Sequence, residues 1–210
     1  MTDATPLEPP PRMTVFDTPI IRPLLRWISI GALKVGRWTT RIDLPDARRY
    51  LIVVAPHTSY WDFLMGLAWA FKHRQRVHWF GKQTLFRGPG RPFFRWLGGI
   101  PIDPTRSGEG RVPAAVAAFK SSERLVVAIA PEATLRPVER WRSGFYHIAL
   151  GAGIPIALGF IDYGTRTAGV GGSFLPTEDE ATDWGRIRDF YAPKKGRNTG
   201  RFLPPINGSE

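Results

Sequence analysis

The chain has 210 residues, 43% hydrophobic and 22% charged, enough apolar material for one sizeable core and a composition that excludes pervasive disorder. Lys and Arg number 29 against 18 acids, a formal charge of +11, so an anionic partner is expected: phospholipid, nucleic acid or an acidic carrier protein. Cysteine is absent, which excludes a disulfide framework and a thiol nucleophile and fits a reducing, cytoplasmic compartment.

Residues 1–18, with prolines clustered up to Pro11, read as a disordered leader. They lack the basic start and apolar centre of a secretory signal, and no run along the chain approaches the length needed to span a bilayer. From 19 to 41 the spacing predicts a basic amphipathic helix. Ile21, Leu24, Leu25, Ile28, Ala32 and Val35 recur at helical intervals, while Arg22, Arg26, Lys34, Arg37 and Arg41 stand without an acid. Such a helix either packs its apolar face on the domain or lies in the headgroup region of an anionic membrane, with Trp27 and Trp38 near its ends.

Beyond it, apolar runs of strand length alternate with helical or loop segments: Tyr50 to Ala55, Val77 to Phe80, Ile100 to Asp103, Leu125 to Ala130 and Ile154 to Phe160. Several are continuous rather than alternating, as strands buried on both faces should be. Helices are predicted after Asp62, around Pro113 to Lys120, from Gly144 to Leu150 and from Glu178 to Tyr191. The pattern is α/β: a single-domain layered sandwich over residues 42–193, with a largely parallel central sheet flanked by helices and preceded by the amphipathic helix. Gly169, Gly171 and Gly172 suggest a turn or irregular strand, and residues 194–210 a poorly ordered basic tail.

In parallel sheets, ligands collect at the carboxyl ends of strands, and the run Ala55-Pro56-His57-Thr58-Ser59-Tyr60-Trp61-Asp62 follows such a strand. A histidine titrates near neutrality and can take a proton from a hydroxyl, while a carboxylate on its other ring nitrogen fixes the tautomer. Five residues along an unbroken helix would put the two side chains roughly 140° apart, so His57 belongs on the loop. Ser59 and Asp62 also have capping-box spacing, which leaves a plainer role open for Asp62 at the helix start. Glu132 falls at another strand end, just after Leu125 to Ala130. His73, His78 and His147 show no metal-ligand spacing, and no phosphate-cradling Gly-rich loop follows a strand.

Four ordered blocks over about residues 50 to 163 resemble the glycerolipid acyltransferase superfamily, which contains lysophosphatidate acyltransferase. His57, Ser59 and Asp62 match its Asn-His-x-Ser-x-x-Asp signature, with Pro56 in place of Asn. The second block runs from Gly81 and Lys82 to Ile102 and Asp103, with Pro104 where Arg is usual. The third, Pro131-Glu132-Ala133-Thr134-Leu135-Arg136, is similar to Pro-Glu-Gly-Thr-Arg, and the fourth, Ile154-Pro155-Ile156-Ala157-Leu158, to Val-Pro-Ile-x-Pro.

The resemblance implies transfer of a fatty acyl group from acyl-CoA or acyl carrier protein to the hydroxyl of a lysophosphatidate-type lysolipid. His57 would be the general base and Asp62 its orienting acid. Ser59, Lys82, Arg106, Glu132, Thr134 and Arg136 would bind substrate, Arg106 and Arg136 from positions shifted relative to the family's arginines. No cofactor, metal or nucleic acid is expected, and the enzyme is placed peripherally on the inner face of the membrane. The shifted arginines leave open an acceptor without glycerol phosphate, such as a lyso-aminolipid. A non-catalytic module for anionic lipid is the remaining alternative.

Overall fold

Strands that stay apolar at every position need cover on both faces, and this chain supplies helices to give it. The computed structural model describes residues 7–102 and 110–206. In chain order the elements are α1 (Ile21–Val35), β1 (Thr39–Asp43), β2 (Arg49–Ala55), α2 (Trp61–Lys72), β3 (His78–Lys82), α3 (Arg91–Trp96), β4 (Gly99–Ile102), α4 (Arg111–Ser121), β5 (Leu125–Ile129), α5 (Gly144–Ala152), β6 (Ile156–Asp162), β7 (Thr167–Phe174) and α6 (Glu180–Tyr191). Short 3-10 turns occupy Val15–Asp17, Gln83–Phe86 and Gly88–Gly90.

The sheet has seven strands in the order β1-β7-β6-β2-β5-β3-β4. From β6 to β4 all neighbours are parallel, whereas β7 is antiparallel to β6 and carries β1 parallel to itself. The two-residue period of β2 divides the core. Leu51, Val53 and Ala55 pack with Val127 and Ile156 beneath Phe119 of α4, Phe145 of α5 and Trp184 of α6. Tyr50 and Ile52 pack with Val126 and Ala157 beneath Trp69 and Phe71 of α2 and beneath Val15 and Phe16. Each fully buried side chain of this kind contributes roughly 1.5–3 kcal/mol. At the carboxyl end, the Tyr191 hydroxyl donates to Val53 O (2.8 Å) and Gly159 O (2.9 Å), tying α6 to the two central strands below the site.

Two segments depart from the sequence expectation. The leader packs onto the domain from Leu7 onward: Arg95 donates to Pro9 O at 2.7 Å, Arg76 donates to Arg12 O at 2.8 Å, and Val15 and Phe16 are buried. Proline-rich backbone forms few bonds with itself, so its free carbonyls accept from these guanidinium groups. The helix predicted to Arg41 stops at Val35, and Arg37 turns the chain with φ +56°. Thr39, Thr40 and Ile42 are β-branched and join the sheet edge as β1. The glycine-rich stretch is the irregular strand of the two alternatives: it forms β7, whose pairing with β6 shifts register between Val170 and Ser173, and a Cβ on Gly169 would run into Arg41 O of β1.

The tail also packs. Ile206 N–H donates to Glu139 O at 3.1 Å, and residues 195–198 cross the mouth of the site described below. On α1 the predicted apolar stripe divides. Leu33 is buried and Ile21 and Leu25 are half-buried against the core, while Leu24, Trp27, Ile28 and Val35 stand 56, 66, 55 and 86% exposed. Among the described residues no helix is long and apolar enough to cross a membrane.

Candidate functional site

The parallel strands all end at one edge of the sheet, and the loop after β2 carries His57 there. The loop is shaped by one carboxylate. Asp62, in the first turn of α2 and 2% exposed, accepts the backbone N–H of Thr58 at 2.8 Å and of Ser59 at 2.9 Å, both on Oδ2. Ser59 Oγ in turn accepts the Trp61 N–H at 3.3 Å. The cap that the Ser59 spacing suggested is thus present, but the acid does most of it. His57 Nδ1 lies 3.5 Å from the same Asp62 Oδ2, so capping the helix and facing the imidazole are tasks of one oxygen.

Asp62 Oδ1 accepts the Tyr163 hydroxyl at 2.8 Å. Tyr163 follows β6, which lies beside β2, and its ring meets Trp38 edge-on at 5.0 Å. Burial, and then the hydrogen bond to Asp62 and that acid's charge, push the phenol well above its ordinary pKa, so it remains a donor.

A second acid approaches from the opposite neighbour of β2. Glu132, three residues beyond β5 and 4% exposed, accepts the His57 N–H on Oε1 at 2.7 Å. Burial raises its carboxyl to about 7; the backbone bond from His57 and the charge of that imidazole pull down, and Asp62 pushes up. The turn that delivers it closes with the Ala133 N–H on Ala130 O at 3.1 Å, and Ala133 adopts φ +55°. That left-handed backbone is the physical reason a glycine suits this position. His57 is thereby held through its main chain by one acid and faced on its ring by another. With Nδ1 turned to Asp62, Nε2 is left as the nitrogen that can exchange a proton with a bound hydroxyl. A concavity of about 500 Å³ lined by Arg48, Arg49, Glu123 and Ile154 opens at the amino-terminal edge of the sheet, away from any of these groups.

A family model for Acyltransferase matches residues 39–157, more than half of the chain. The chain belongs to the acyltransferase family. Among solved structures, the 1-acyl-sn-glycerophosphate acyltransferase PlsC from Thermotoga maritima is similar in fold, with a TM-score of 0.52 at 15% identity over 84% of this chain and 82% of that one. No curated protein matches.

In this acyltransferase the remaining sequence-predicted residues are placed as follows. Ser59 is part of the loop that Asp62 shapes. Thr134 Oγ1 accepts the Arg136 N–H at 3.2 Å and so closes the turn after Glu132, with the Arg136 side chain exposed. Lys82 is exposed at the end of β3, two strands from β2 on the same sheet edge. Arg106 lies outside the described residues. His73 Nε2 pairs with Thr40 Oγ1 at 2.9 Å, burial lowers His78 to about 4, and no metal-binding cluster occurs among the described residues.

Sequence reasoning missed Tyr163, although it follows a central strand at the carboxyl edge of the sheet just as His57 and Glu132 do. It also missed Thr58 and Asn198. Asn198 Nδ2 donates to Thr58 O at 2.7 Å, and Asn198 N–H to Thr58 Oγ1 at 3.3 Å. Nothing in the Gly- and Pro-rich tail signals that contact.

The displaced pKa of Glu132 gives a pH signature. A carboxyl that titrates near 7 when folded and near 4.5 otherwise binds its proton more tightly in the folded protein, so across that interval stability falls as pH rises. Glu132→Gln does not titrate there. Its stability relative to the parent should therefore improve between pH 5 and 8, by up to roughly 3 kcal/mol, as read from urea midpoints at the two pH values.

Proposed function

We propose that this acyltransferase moves a fatty acyl group from an acyl thioester, on coenzyme A or acyl carrier protein, to the free hydroxyl of a lysophosphatidate-type lysolipid. His57 is the general base. The observation that carries the reading is the two-sided hold on His57, its backbone fixed by Glu132 and Nδ1 facing Asp62, which leaves Nε2 for the acceptor hydroxyl. As the hydroxyl oxygen attacks the thioester carbonyl, its proton passes to Nε2. Asp62 balances the imidazolium that forms. Collapse of the tetrahedral intermediate breaks the C–S bond, and the leaving thiolate takes the proton back from His57. No acyl-enzyme intermediate is required.

The setting we infer is the surface of an anionic membrane, on the cytoplasmic side where thioester donors occur. The outward stripe of Leu24, Trp27, Ile28 and Val35 supports it, because a helix already docked by its opposite face has no further core to bury these side chains in. Lys34 is exposed on the same side of α1 as the stripe, and the chain carries +11 overall.

The reading is tested with purified protein, an acyl thioester and acceptors with and without phosphate. Transfer to lysophosphatidate should fall by about 10²–10⁴ in His57→Ala. Thioester consumption that persists in that variant contradicts the mechanism, and equal rates on phosphate-free acceptors replace the lysophosphatidate reading with a lyso-aminolipid type. For the membrane, a Leu24→Ser, Trp27→Ser, Ile28→Ser variant should lose cosedimentation with anionic vesicles while keeping its thermal midpoint. Retained vesicle binding removes α1 from the account.

A further inference from the structure

The segment that closes over the catalytic loop lies beyond the residues matched by the family model, and it brings a cation with it. Lys195 O accepts the Tyr163 N–H at 2.9 Å, and Lys195 N–H donates to Asp162 Oδ1 at 3.1 Å. Gly196 presses on Thr58 so closely that a Cβ there would come within 2.6 Å of Thr58 Cγ2. Asn198 then bonds the Thr58 main chain and hydroxyl. Residues 195, 196 and 198 are thus anchored on the two segments that supply Asp62 with its donors. The residue between the anchors is Arg197.

Its guanidinium stands 5.0 Å from the centre of the Trp61 ring, on the residue preceding Asp62, and its charge bears on the Tyr163 hydroxyl. No carboxylate lies within ion-pair distance of it among the described residues, and it is exposed. An arginine held by its neighbours, by the face of a tryptophan and against the Tyr163 hydroxyl is already placed, and the remaining donors of its planar fork meet an anion at little cost in conformational entropy. Lys82 and Arg136, on the same edge, have no described contact with the His57 loop. Arg197 touches it.

We propose that Arg197 receives the phosphate monoester of the acceptor and thereby sets head-group specificity, the C-terminal segment acting as the arm that holds it over His57. The proposal rests on the lysolipid reading above for its substrate, but its binding step can be measured without turnover. A dianionic phosphate fits the forked donors bidentately.

Two measurements on the full chain decide it. Titration calorimetry with glycerol 3-phosphate should show the dissociation constant rising at least tenfold in Arg197→Ala, with Arg197→Lys recovering part of the affinity; equal constants in all three proteins overturn the proposal. With a water-soluble, short-chain lysophosphatidate below its aggregation concentration, and the matching monoacylglycerol, Arg197→Ala should reduce the ratio of kcat/KM values between the two acceptors at least tenfold. If the variant instead loses only binding to anionic vesicles and keeps that ratio, Arg197 serves the bilayer and the proposal fails. If the parent binds glycerol 3-phosphate through Arg197 yet acylates neither lipid, the phosphate site stands and the lysophosphatidate reading falls.

Discussion

The two oxygens of Asp62 face four groups at once, and the arrangement around the site depends on them. Oδ2 takes the N–H groups of Thr58 and Ser59 and stands 3.5 Å from His57 Nδ1, while Oδ1 takes the Tyr163 hydroxyl. A buried carboxylate is tolerated only when its lone pairs are filled, and here the groups that fill them are the loop it shapes and the strand beside it. The loop cannot relax without uncovering the acid, and the acid cannot turn without releasing the loop. That mutual dependence gives an irregular five-residue connection the fixed geometry that general-base chemistry requires.

The sheet explains why these groups meet. β2 lies between β6 and β5, so its carboxyl end is flanked by the ends of two parallel neighbours, one delivering Tyr163 to Asp62 and the other Glu132 to the His57 backbone. The two acids near the imidazole are held in different environments. Asp62 is supplied with three hydrogen-bond donors, whereas burial lifts Glu132 to about 7, so the charge beside His57 changes across neutral pH through Glu132. On the solvent side the α1 stripe and the exposed Trp61 with its Arg197 put apolar and cationic groups on the outside of the same domain.

Much of this was legible in the sequence because the relevant signals are local. Continuous apolar runs gave the central strands, and His57 and Asp62 sit in one eight-residue segment whose strand-to-helix turn follows from their spacing. What the sequence hid was long-range. Tyr163 is 101 residues from Asp62 and Asn198 is 140 from Thr58, and no periodicity reports such pairs. β1 escaped because a short edge strand was continuous in charge pattern with the helix before it, and for β7 the glycines, one of them needed where Arg41 approaches, left turn and irregular strand equally open. The packing of residues 7–18 was hidden because proline-rich composition does not reveal that arginines far along the chain will bind its carbonyls.

Asp62 makes His57 a base while holding the loop around it, and Asp62→Asn separates these tasks, since the amide oxygen can still accept a loop N–H but carries no charge. The decisive measurement is its rate of acyl transfer, taken on protein shown to melt cooperatively. A loss of roughly 10²–10⁴-fold is predicted, because the imidazolium would form without its counter-charge. Turnover equal to the parent in the folded variant would contradict the account.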